Sequence, residues 1–247
     1  MRLAERGRLA GLLLCLGSGC AQAPGNPPPP SPAVPPLPIA VPPTPAAPPA
    51  GFRATQRPLT EAEKSAMLNV SWREGCPVPL DALVRMELRH RTVEGGEATG
   101  VLVVASTAAP AMERAFARLH EVGFPIVRME PIEAFGGDDD ASMAANNTSA
   151  FNCRARYGGG RFSRHAWGEA IDVNPLWNPL VKADNRAAEG LRVAPESARP
   201  WSDRTRVEAG SLFPGSLAVA AFTDQGWVWG GTWRSLKDWQ HFSADGT

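Results

Sequence analysis

The sequence predicts an α+β fold for residues 52–247, an antiparallel sheet with helices packed on it, and three observations carry that expectation. An alternating pattern over 83–105 reads as a hairpin. A helical pattern follows it over 110–123. Strand-like and helix-like segments then come in blocks, without the strict alternation of a doubly wound sheet.

The chain before residue 52 is of another kind. Residues 1–20, ending in "LAGLLLCLGSGC", join a basic start to a short apolar run and small residues. That is the pattern of a secretory signal, and the apolar run is too short to span a bilayer. Cys20 follows Gly-Ser-Gly, which resembles the lipobox where bacterial lipoproteins are cut and acylated, although Gly17 stands where Leu is usual. Ordinary cleavage after "AQA" is the alternative, and Pro24 would impede it. The expectation is an exported protein of the cell envelope, lipid-anchored to the membrane through Cys20, with simple secretion or a periplasmic location as the alternative. Residues 21–51 hold over half of the 25 prolines. Such a tract lacks backbone donors and apolar bulk, so it reads as an extended, disordered spacer.

Residues 52–247 can bury one sizeable core. Lys+Arg and Asp+Glu each total 25, so no electrostatic case exists for nucleic acid. In "TEAEKSAML" Thr60 and Glu63 form a capping-box pattern and predict a short helix. Val84, Met86 and Leu88 then alternate with Arg85, Glu87 and Arg89, and "EGGE" supplies the turn. His90 continues that strand as a structural residue. Met112, Ala115, Phe116 and Leu119 sit at helical spacing between Pro110 and the stop at Gly123. His120-Glu121 opens like H-E-x-x-H, but Phe124 occupies the second histidine's place. "PIVRMEPIE" reads as a strand, residues 136–152 as a long polar loop, and 176–210 as further loop. Asp138, Asp139 and Asp140 read as a solvated acidic turn, with a calcium site as the alternative. "PGSLAVAAFTDQG" predicts a late helix and "WVWGG" a strand end.

Cys15 and Cys20 belong to the export segment, which leaves Cys76 and Cys153. One pair in an exported domain is a disulfide candidate, and a reduced buried pair is the alternative. A zinc site on these two would need further ligands, and none is near.

Two islands hold candidate chemistry: "SRHAWGEAIDVN" at 163–174, and "KDWQHF" at 237–242. A helix would separate His165 from Asp172 by about 10 Å along its axis. Atoms on one zinc, each about 2 Å from it, must lie far closer. A turn at Gly168 followed by a strand solves this, with Ile171 and Val173 on the core face and Asp172 on the other. Asp238 and His241, three apart, would point to opposite faces of a regular strand, so their convergence needs an irregular path. Two histidines and one carboxylate leave tetrahedral zinc an open position, the catalytic pattern. The remaining acid, Asp238 or Glu169, would then act on water.

Ser163-x-His165-x-x-Gly168-x-Ala170-x-Asp172, followed downstream by Asp238-Trp239-Gln240-His241-Phe242, resembles the signature of the zinc D-alanyl-D-alanine carboxypeptidase and L-alanyl-D-glutamate endopeptidase family. The resemblance covers about residues 72 to 245. It implies a hedgehog-type D,D-peptidase fold and one zinc per domain held by His165, Asp172 and His241, with Asp238 as catalytic base. It also implies peptidoglycan stem peptides as substrate. Many members carry Glu where Asp238 stands, and Asp there is similar to the endopeptidase branch. The family's arginine ahead of the first ligand falls on Arg154, which would stabilise an oxyanion or bind a substrate carboxylate. Cys153 beside it departs from the family pattern, and a disulfide to Cys76 would hold that loop. Ser163 would contact substrate or simply form the turn. Of Trp227, Trp229, Trp233 and Trp239, at least half are expected in the core and the rest on the cleft wall.

A serine D,D-peptidase needs S-x-x-K. Lys64, Lys182 and Lys237 follow Glu61, Pro179 and Arg234 at that spacing, so this class is excluded. A non-catalytic wall-binding domain with a structural zinc is the other rival, and an intact ligand set together with Asp238 argues against it.

Overall fold

The computed structural model describes residues 51–156 and 159–246. The expected signal and lipidation segment at 1–20, with Cys20, lies outside the described residues, as does the spacer at 21–51 apart from Gly51.

Strand β1 (Ala54–Pro58), which the sequence did not announce, leads into helix α1 (Glu61–Met67). The capping box is complete: Glu63 N–H donates to Thr60 Oγ1, and Thr60 N–H to the Glu63 carboxylate at 2.8 Å. Strands β2 (Leu83–Arg91) and β3 (Glu97–Ala105) form the expected hairpin, and β1 adds antiparallel to β2. Met86, Leu88, Leu102 and Val104 leave this sheet on one face. Helix α2 (Ala109–Glu121) covers them with Met112, Ala115, Phe116 and Leu119, as its spacing predicts.

The expected strand at 125–133 is mostly absent. Only β4 (Arg128–Met129) forms, followed by a 3-10 turn over Ile132–Phe135. Pro125 and Pro131 bring no backbone donors to a ladder, which confines the strand to the residues between them. The expected loop at 136–152 contains helix α3 (Asp139–Ala144) and β5 (Asn147–Thr148), the latter parallel to β4. Asp138 caps α3 by accepting from Ala141 N–H at 3.0 Å, so the acidic cluster starts a helix.

Beyond the first island, β6 (Ala170–Asp172) is followed by a second departure from expectation. Within 176–210, β7 (Leu180–Ala183) and β8 (Leu191–Ala194) pair as a hairpin, and Glu196–Trp201 is 3-10. Helix α4 (Leu217–Thr223) arrives as expected, capped by Ser216, and packs Phe222 on Phe116. Strands β9 (Val228–Trp229), β10 (Lys237–Asp238) and β11 (His241–Ser243) close the chain.

Besides β1-β2-β3, three-stranded antiparallel sheets run β10-β7-β8 and β6-β11-β9. Helices and antiparallel sheets in separate blocks agree with α+β. Ile171, Val173 and Phe242 join the core under α2 and α4, so β6 and β11 rest directly on the most regular part of the molecule.

Candidate metal centre

A 3-10 turn over Arg164–Trp167 carries His165, and Gly168 ends it in the left-handed conformation at φ 67°. A side chain there would be strained, and its Cβ would lie 2.4 Å from the Ala105 nitrogen. The Gly168 carbonyl instead accepts from Ala105 N–H at 3.0 Å, which ties the turn to the end of β3. The chain then reverses into β6. Ile171 and Val173 enter the core, and Asp172 faces the other way. That face is itself buried, so Asp172 is not the solvent-facing residue that alternation alone suggests.

The second island reaches the same place by register. In the antiparallel pair of β6 and β11, His241 stands directly opposite Asp172. Asp238 belongs to another sheet, opposite Leu180 of β7. The bend at Trp239 and Gln240 passes the chain between these sheets, the irregular path that convergence of Asp238 and His241 requires. Gly230 makes the approach possible, since a Cβ there would lie 2.8 Å from the Asp238 Cβ.

One ligand atom from each of His165, Asp172 and His241 lies within 4.8 Å of the others. His165 Nε2 is 3.2 Å from Asp172 Oδ2, His241 Nδ1 is 3.0 Å from Asp172 Oδ1, and the two nitrogens are 3.2 Å apart. His165 Nδ1 faces the Ala150 carbonyl, a pure acceptor, so Nδ1 carries the proton and Nε2 is left as a lone pair. The His165 lone pair, a second imidazole and a carboxylate thus meet at one point. A divalent cation satisfies that set, and two N donors with one O donor suit zinc. The residues present fit the metal.

Burial alone would raise the Asp172 carboxyl, but the two histidines beside it, His165 ahead of His241, override burial and hold it well below the usual range. Asp238 behaves oppositely. Burial pushes its carboxyl up to about 7, and Asp172 adds to the rise against the opposing pull of His241, Arg154 and Gln240. Its Oδ1 is buried and unpartnered. Gln240 Oε1 and His241 Nε2 are also buried without partners, and all three residues line one pocket of about 340 Å³.

Of the sequence-predicted residues, His165, Asp172, His241, Asp238, Arg154 and Ser163 all line this pocket. Ser163 also forms the turn, its carbonyl accepting from Ala166 N–H at 2.9 Å. Glu169, the alternative acid, is turned to Arg164 at 3.4 Å and does not line the pocket. Trp227 and Trp229 are core residues, whereas Trp233 walls the pocket and packs on the His241 ring, centroids 5.4 Å apart. Cys76 and Cys153 are joined, with Cα atoms 6.0 Å apart, next to Arg154. His90 and His120 stay outside the site, bonded to the Arg91 carbonyl and to Glu97.

Sequence reasoning missed Asp139, which contacts Arg154 on the pocket wall, and Leu180 and Ala194 of the β7-β8 hairpin. Two short, mostly apolar runs, "LVKA" and "LRVA", about a turn-rich "DNRAAEG" were the available sign of that hairpin.

Residues 157–244 match the family model described as D-alanyl-D-alanine carboxypeptidase. The match supports the family that the two-part motif resembles, and with it a peptidase. It spans His165, Asp172, Asp238 and His241 and begins beyond Arg154. Neither curated proteins nor solved structures give a match to the chain.

Proposed function

We propose that the chain is a zinc-dependent peptidase that hydrolyses peptide bonds in bacterial peptidoglycan stem peptides, of the D-alanyl-D-alanine carboxypeptidase or L-alanyl-D-glutamate endopeptidase type. The observation that supports it most is a buried set of three convergent candidate ligands sharing a pocket with a fourth acid, one oxygen of which has no partner. A structural metal needs no such acid beside it. Three protein ligands would hold the zinc, which when bound polarises the scissile carbonyl and acidifies water.

The protein's own groups supply the rest. Asp238 Oδ1, free of any internal donor, accepts the proton of the attacking water and returns it to the leaving amine. The Arg154 guanidinium faces the developing negative charge or a substrate carboxylate. His165 is fixed by its Nδ1 bond to Ala150, and Trp233 fixes the plane of His241. Leu180, Ala194 and Leu236 give the pocket an apolar side that suits an alanine methyl.

Export belongs to the same proposal: the signal at 1–20, a lipid on Cys20 and the spacer at 21–51 would hold the domain near the wall. Cys20→Ser should release it from membranes, and a wild type that is already soluble and lipid-free overturns this part. For the chemistry, purified protein is incubated with a pentapeptide stem and the products are weighed by mass spectrometry. Cleavage that chelation abolishes and zinc restores is expected, and the product masses identify the bond. Full turnover after verified metal removal would end the metallopeptidase reading.

A further inference from the structure

Arg154 sits among three carboxylates. The fields of Asp139, Asp172 and Asp238 all bear on its guanidinium. Its ion pair is with Asp139, Nη2 to Oδ2 at 2.8 Å, and Asn152 Nδ2 approaches the other Asp139 oxygen at 3.5 Å. Asp139 is free for this because Asp138, one residue earlier, performs the capping of α3. Both members of the pair line the pocket, and each keeps only about a quarter of its side-chain surface exposed. A guanidinium in such a place takes the nearest available carboxylate. Without Asp139, the remaining ones are a zinc ligand and the base.

We propose that Asp139 is a positioning residue that anchors the Arg154 guanidinium to the pocket wall and so keeps it off Asp172 and Asp238. This rests on the zinc-peptidase reading for its functional meaning. The geometry explains how a strong cation can share a pocket with a cation site: its charge is matched locally. It also explains why Asp238 Oδ1 remains unpartnered although an arginine shares its pocket. An arginine released onto Asp172 would compete with the metal, and one released onto Asp238 would occupy the base.

The test compares wild type, Asp139→Asn, Arg154→Ala and the double variant. Zinc affinity is read by competition with a chromophoric chelator, and kcat and KM on the pentapeptide stem. Asp139→Asn should weaken zinc binding and lower kcat, each by roughly tenfold, the scale of losing a group that orients the metal's surroundings. In the Arg154→Ala background the same substitution should change neither. Asp139→Glu should restore most of both. Equal losses in the two backgrounds would mean a simple through-space charge effect and overturn the proposal, as would no loss in the wild-type background. A crystal structure of metal-free Asp139→Asn gives the independent reading, one that survives even if the protein cleaves no stem peptide or binds no zinc. Arg154 should have moved onto Asp172 or Asp238, and a guanidinium left in place overturns the idea.

Discussion

Two clusters in this molecule combine histidine with carboxylate, and they are built to opposite ends. In the first, Glu97 of β3 receives His120 Nε2 at 2.9 Å and Arg91 Nη1 at 2.9 Å, with Arg89 as a third donor. Every neighbour donates, so the carboxylate is satisfied, and the His120 bond leads the causes that lower its pKa. The cluster ties α2 to the sheet. In the second, Asp172 faces His165 and His241, and no Lys or Arg ion pair to it is found among the described residues. His165 has already committed its proton to Ala150, so its Nε2 lone pair meets the Asp172 carboxylate as a second acceptor. The difference teaches that residue type does not make a metal site. Where the donors point does.

The largest effect expected from breaking this contrast is in the second cluster. His165→Ala and His241→Ala should lose zinc and turnover together, read as metal content and hydrolysis on the same preparations. His120→Ala should keep both, and lower the melting temperature by roughly 2–8 °C as a buried donor disappears and leaves Glu97 one partner short. A His120 variant that loses zinc would erase the distinction.

Asp238→Asn comes next, because it separates the proposed proton carrier from the proposed ligands. Zinc should remain, while hydrolysis falls by about 10²–10⁴-fold, the usual worth of a positioned acid-base group. A metal-free or fully active variant removes Asp238 from this role. The metal-free protein offers a second measurement. With a folded pKa near 7 and a lower unfolded value, Asp238 binds its proton more tightly in the folded state. Its stability contribution is therefore present below about pH 4 and lost as pH rises toward 7. The wild-type melting temperature should decline across that window relative to Asp238→Asn, and parallel profiles would contradict the shift.

A smaller effect sharpens the comparison from the covalent side. The Cys76–Cys153 bond closes a loop with a sequence separation of 77 and holds the segment bearing Asn152 and Arg154. Replacing both cysteines by serine should cost about 2–5 kcal/mol of stability in denaturant titration. It should also reduce turnover through the neighbouring Arg154, with zinc content unchanged. The smallest effect lies on the structural side of the molecule. Thr60→Ala removes one half of the capping box and should cost about 1 kcal/mol, with no change in zinc content or turnover.

The elements that were legible in advance are those whose pattern is local. Thr60 with Glu63, the 3.6-residue spacing of α2 and the alternation of β2 each declare themselves within a dozen residues. The elements that were misread are short and held from outside. Strands β7 and β8 have four residues each, and β4 has two between prolines. Such segments owe their state to the strands beside them, which a window along the chain does not contain.

The same division runs through the site. By itself the sequence determined the types of the candidate ligands, the need for a turn at Gly168 and the need for an irregular path between Asp238 and His241, because these follow from bond lengths and side-chain direction. Only the tertiary structure decided that His241 stands opposite Asp172, 69 positions away, through the register of β6 with β11. It alone turned Asp139 toward Arg154 and gave Glu97, not a metal, to His120. Each of these is a pairing between distant segments. Its partner is chosen by packing on the common core, and no periodicity within either segment carries that choice.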